Sequence, residues 1–140
     1  DAAIWRGPML SGAIKKLIHD TKWGELDYLL IDMPPGTGDA YLTIFKELSV
    51  DEFILVSTPN ILAISDLQKT LSMLKKINVS IFGYICNNIF NIQDKDNNFF
   101  ISNKIRHLGT YEFDKNLHDF DLDYNPHVTE DISKIILSDV

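Results

Sequence analysis

With 140 residues, 45% of them apolar and 24% charged, the chain has the size of one ordinary domain and enough apolar material for a core. Thirteen basic against twenty acidic side chains leave a net charge of −7, a balance that argues against a broad nucleic-acid surface. No apolar run reaches the roughly 18 to 20 residues of a membrane span, no secretory leader is expected, and the single cysteine, Cys86, cannot form an intrachain disulfide, so a cytoplasmic or other reducing intracellular compartment is expected.

Helical and strand-like signals alternate along the chain. "GPMLSGAIKKLIHDT" places Pro8 in a first helical turn and sets Leu10, Ile14, Leu17 and Ile18 on one expected face. The apolar run 28–31 reads as a strand, and "AYLTIFKEL" as a short helix. "FILVS" at 53–57 is a second strand-like run. After Pro59, Ile61, Ile64, Leu67, Leu71 and Leu74 recur at helical spacing, with Lys75 and Lys76 where they complement the negative end of the helix dipole. "SIFGYICN" at 80–87 is the third run. The asparagine-rich stretch that follows reads as a loop or insertion over 91–104. "HLGTYEF" is one more candidate strand, and "NPHVTEDISKIILSDV" a terminal helix with Thr129 as N-cap and Glu130 and Asp131 in its first turn.

Short unbroken apolar runs separated by helices are the pattern of parallel strands buried on both faces. The expected fold class is therefore α/β, a doubly wound and mostly parallel sheet with flanking helices. No internal repeat is visible, and 1–140 is expected to form a single domain.

The segment "YLLIDMPPGTGDAYL" carries the chemistry. Asp32 directly follows the apolar run, at the strand end where ligands gather in open α/β sheets. A carboxylate there can hold Mg2+ through water. Pro34, Pro35, Gly36, Thr37 and Gly38 then form a loop of restricted shape, whose glycine N–H groups could face a phosphate oxygen. The same residues also suit a tight strand-to-helix turn with Asp39 as N-cap, and spacing alone leaves both readings open.

"WRGPMLSGAIKKL", "WGELDYLLIDMPPGTGDAYLT", "VSTPN" and "GYICNN" occur in an order and spacing that resemble the Mrp family, MinD- and ParA-like P-loop ATPases that carry iron–sulfur clusters. The resemblance covers roughly residues 4–90. It implies an ATPase with ATP and Mg2+ as ligands, a homodimer or a heterodimer with a related ATPase, and apo iron–sulfur proteins as recipients. It implies that Asp32 is the magnesium-side acid and that the loop 32–39 is the switch sensing the terminal phosphate. Asn87 would face the adenine ring, with a strand-ending turn residue as the other reading. Arg6 and Asp39 would lie near the nucleotide or the dimer interface, Arg6 alternatively being a solvated arginine at a helix start.

Two departures from the family pattern stand out. No glycine-rich loop with lysine and serine or threonine occurs in the sequence, so the expected fold is an incomplete P-loop NTPase, the C-terminal portion of a longer protein. The family's Cys-x-x-Cys is also absent. The corresponding stretch reads "IFNIQDKDNNFF", where Asp94 and Asp96 are hard oxygen donors, so no iron–sulfur ligands are identified. Cys86 falls inside an expected buried strand and reads as structural. Two alternatives to a cluster carrier follow: a MinD/ParA-like regulatory or partitioning ATPase without a cluster, and a non-catalytic paralogue that pairs with a competent subunit. His19, His107, His118 and His127 have no metal-ligand spacing, and Trp5 and Trp23 read as packing residues.

Overall fold

The computed structural model describes residues 7–33, 38–88, 98–114 and 127–138. The chain divides into two compact units, Asp1–Asp51 and Glu52–Val140.

The first unit holds helices α1 (Gly7–Asp20) and α2 (Asp39–Glu47), which pack on one another. Ala40, Tyr41, Thr43 and Ile44 of α2 are buried. Ser11 of α1 shares a 2.8 Å hydrogen bond with the buried Thr43 hydroxyl. One turn further along, the Glu47 carboxylate accepts from Lys15 at 2.8 Å and meets His19 Nε2 at 2.8 Å. The packing face of α1 therefore runs through Ser11, Ile14, Lys15 and Ile18, and is more polar than the expected leucine face. Leu17 is 65% exposed and Leu10 also lies exposed, because the helix turns toward a partner that offers Thr43 and Glu47. Trp23 donates its indole N–H to the Ile18 carbonyl at 3.0 Å, satisfying one of the orphan acceptors at the end of α1.

Residues 28–31 depart from expectation: they form no strand and are exposed, Leu30 to 84%. An apolar run becomes a strand only when a neighbour accepts its backbone hydrogen bonds, and no described residue of the first unit forms a strand beside it.

The second unit is a three-stranded parallel sheet in the order β1 (Glu52–Ser57), β2 (Ser80–Asn88), β3 (His107–Glu112). Between the strands run α3 (Ile61–Ile77) and the short α4 (Asn98–Ser102), and α5 (His127–Ser138) follows β3. This is the expected α/β architecture of parallel strands with flanking helices. Of the expected loop 91–104, the described part carries α4.

Register assigns the faces. Leu55 pairs with Tyr84 and Ser57 with Cys86, so these four share one face of the sheet. Phe100 of α4 stacks on Tyr84 with centroids 3.6 Å apart, and Lys75 of α3 donates to Asn103 just past α4, so both helices cover that face. On α3, Ile64, Leu67, Leu71 and Leu74 are buried as the spacing predicts, while Ile61 at the first turn is exposed. Asn78 ends α3 at φ 57°, a left-handed conformation that asparagine tolerates better than most residues.

The opposite face is covered at β3 by α5. A Cβ added at Gly109 would sit 3.0 Å from side-chain atoms of both Val128 and Ile132, so the missing side chain is what brings that helix close. The Tyr111 hydroxyl shares a 2.8 Å bond with Thr129. The helix begins at His127, two residues before the expected cap, so Thr129 lies inside its first turn and is spent on Tyr111.

Glu47 yields a pH prediction. Its carboxyl is held below the ordinary value of 4.5, first by the hydrogen bond from Lys15 and then by that from His19. A depressed carboxyl pKa stabilises the folded form above the unfolded pKa and loses that contribution as pH falls through the folded value. Glu47→Gln should therefore speed amide exchange in α1 and α2 at pH 7, and the difference from the unmodified protein should fade below about pH 4.5. Equal exchange rates at pH 7 would contradict this role.

Candidate functional site

Three parallel strands put their carboxyl ends on one edge, where several polar residues of the second unit stand. β1 ends at Ser57, β2 at Asn87 and Asn88, and β3 at Glu112. The turn after β1 is tightly organised. The Asn60 amide donates to Thr58 Oγ1 at 2.6 Å, while its Oδ1 accepts from the Ala63 N–H at 2.9 Å and so caps α3. Thr58 and Pro59 thus build a capped βα turn at the site's rim.

At the end of β2 the two asparagines face opposite ways. Asn87 is half-buried and pairs in register with Tyr111 on the α5 side. Asn88 is 1% exposed, and its Nδ2 donates to Glu112 Oε2 at 2.6 Å. A hydrogen bond to a carboxylate is worth about 1.5–3 kcal/mol when well made, and stranding a buried amide would forfeit it. Cys86, 5% exposed, lies between Ser57 and Thr110 in the same sheet.

The residues singled out from the sequence fall in different places. Asn87 stands at the carboxyl edge of the second unit's sheet. Asp32 belongs to the first unit, where its side chain is exposed in irregular chain. Gly38 is also in the first unit, extended at φ −80° and ψ −167°, and is the N-cap of α2 in place of the expected Asp39, which opens the helix. Pro34, Pro35, Gly36, Thr37 and Arg6 lie outside the described residues. The sequence reading missed Asn88 and Glu112. Their only signal was a second asparagine beside Asn87 and an acid closing the next strand.

Among the described residues, no group of three or more His, Cys, Asp or Glu is placed to hold a metal ion. A groove of about 1010 Å3 lies between α3 and α4, lined by Ile64, Leu71, Lys75, Phe99 and Ile101 among others, and no predicted site residue reaches it. No helix among the described residues is long and apolar enough to cross a membrane.

The model of the family described as "ParA: NUBPL iron-transfer P-loop NTPase" matches residues 1–137. The chain belongs to this family. Among curated relatives, the iron-sulfur cluster carrier protein of Methanocaldococcus jannaschii is 51% identical over 85 residues, which are 60% of this chain and 29% of that protein. The iron-sulfur cluster transfer protein NUBPL of Dictyostelium discoideum is 45% identical over 87 residues, 62% of this chain and 27% of that protein. The chain thus spans less than a third of the length of these relatives. Among solved structures, a nucleotide-binding protein from Archaeoglobus fulgidus in complex with ADP superimposes with a TM-score of 0.70 at 29% identity, over 87% of this chain and 57% of that one. The cell division ATPase MinD of Pyrococcus furiosus gives 0.69 at 20% identity, over 96% of this chain and 60% of that one, a likeness of fold. The parallel sheet with flanking helices is accordingly a ParA/NUBPL-type P-loop NTPase sheet.

The capped turn at the rim gives a direct test. Asn60→Ala removes the bond to the Ala63 N–H and should cost about 1 kcal/mol of stability, read as a lower urea midpoint. An unchanged midpoint would show that the cap carries no weight.

Proposed function

We propose that this chain supplies the C-terminal portion of a nucleotide-binding P-loop ATPase that works in iron–sulfur cluster transfer. The observation that carries the reading is the family match across residues 1–137, on a chain whose parallel strands end in Asn87, Asn88 and Glu112 at one edge. Asn87 reads the adenine, since its amide offers one donor and one acceptor to the base edge. Asp32, an exposed hard oxygen donor, holds Mg2+ through water, and the segment 32–39 responds to the terminal phosphate. Bound magnesium would neutralise charge on the phosphoryl group being transferred. Arg6 and Asp39 belong to the nucleotide-proximal or dimer-forming surface in this reading. The ADP-bound relative from Archaeoglobus fulgidus supports the nucleotide, and the carrier proteins among the curated relatives support apo iron–sulfur proteins as recipients.

The cluster is cargo, and this chain's own residues do not fit it. Its one thiol, Cys86, is buried in β2, and aspartates stand where the family has paired cysteines. That mismatch favours a second reading, a MinD/ParA-like ATPase that dimerises for localisation without a cluster. A third reading is a non-catalytic subunit paired with a competent partner.

The full-length protein decides among them. Asp32→Ala should lower magnesium-dependent ATP turnover by about 100-fold or more, and turnover at the unmodified rate would remove Asp32 from the magnesium site. On the carrier reading, anaerobic reconstitution of the full-length protein with iron and sulfide gives cluster absorbance and transfer to an apo acceptor, through ligands other than the buried Cys86. ATP turnover with neither would establish the cluster-free reading.

A further inference from the structure

We propose that Asn88 and Glu112 form a clamp that positions Asn87, so that the preference for adenine over guanine nucleotides depends on a side-chain bond on the opposite face of the sheet. The proposal rests on the reading of Asn87 given above and adds to it two residues that hold the base-reading amide in place.

Three observations converge on the clamp. Asn88 and Glu112 are the last residues of β2 and β3 and are register partners, so their bond lies at the final rung of the ladder. Strand ends are where ladders open first, and a side-chain bond across the last rung resists that opening. The bond is short at 2.6 Å, and its donor amide is 1% exposed while the accepting carboxylate belongs to an exposed residue. Water therefore competes for the Glu112 side and is kept from the Asn88 side. Asn87 is the preceding residue, and its own register partner Tyr111 is tied to α5 through Thr129. The backbone at Asn87 is therefore flanked by two ties: its register partner Tyr111 is bonded to α5 on one face, and the next rung is closed by the Asn88–Glu112 bond on the other.

Positional control matters to an amide that reads a base. Two-point recognition of adenine needs both amide atoms within reach of the base edge at once. A displacement near 1 Å is enough to lose most of such an interaction. Releasing the last rung would let the end of β2 move by that order while the rest of the sheet stays paired. Asn88 and Glu112 are thus positioning residues acting through Asn87.

The test measures binding of ATP and GTP to the full-length protein, with Asn87→Ala, Glu112→Ala, Asn88→Ala, the double variant and Glu112→Gln. Both alanine variants of the clamp should lower the ATP-over-GTP preference roughly tenfold. The double variant should lose less than the sum of the two single ones, because the bond they share is removed by either. Glu112→Gln keeps an acceptor for the Asn88 amide and should retain most of the preference. Glu112 is exposed, so its alanine variant should fold, and it carries the test alone if Asn88→Ala does not. If Glu112→Ala keeps the full preference while Asn87→Ala loses it, the clamp is wrong and the reading of Asn87 stands. If Asn87→Ala also keeps the preference, the reading beneath the proposal fails.

Discussion

Parallel pairing of β1, β2 and β3 is the constraint on which the rest of the second unit depends. Strands that run the same way must be joined by crossovers, and the crossovers put helices on the sheet faces. The strands can then be short and apolar, as "FILVS" and "SIFGYICN" are. Burial on both sides is only partial here: α3 and α4 cover one face, α5 covers the other at β3, and Val56 of β1 is left 59% exposed. The same pairing delivers every carboxyl end to one edge. Residues that would be unremarkable singly, such as Ser57, Asn87, Asn88 and Glu112, become neighbours there.

How legible this was in the sequence varied with how local the cause is. β1, α3, β2 and β3 could be read directly, because short apolar runs and helical period leave their mark within each segment. The run 28–31 misled for the complementary reason: its composition suits a strand, but strandedness needs a partner, which composition does not report. Thr129 looked like a cap because nothing in its own segment reveals that Tyr111 claims its hydroxyl. Leu17 looked like core because helical period does not foretell the polar partner that α2 offers to α1.

The Asn88–Glu112 bond was the least legible feature. It depends on an irregularity in the pairing of β2 with β3 between Tyr84 and Ile85. Tyr84 pairs with His107, yet Ile85 pairs with Gly109, so Leu108 is the extra residue. Without that step Asn88 would meet Tyr111, and Glu112 would lie beyond the end of β2. Gly83 permits the close approach that accompanies the step: a Cβ there would sit 2.7 Å from the Arg106 carbonyl, which instead accepts from the Tyr84 N–H at 2.8 Å. A one-residue step in register decides whether the buried amide meets a phenol or a carboxylate.

Family membership and residue content pull in different directions over the cluster and agree over the nucleotide. The lone buried thiol argues against cluster ligation by this chain, whereas the proposed base-reading residue Asn87 stands at the carboxyl edge of the sheet, where ligands gather in open α/β folds. Hydrogen–deuterium exchange of the full-length protein, with and without Mg·ATP, tests that agreement most directly. Slower exchange at 85–88 and 110–112 on adding Mg·ATP is the expected result. Unchanged exchange at both strand ends, with ATP bound at saturation, would place the nucleotide elsewhere and contradict the assignment of this edge.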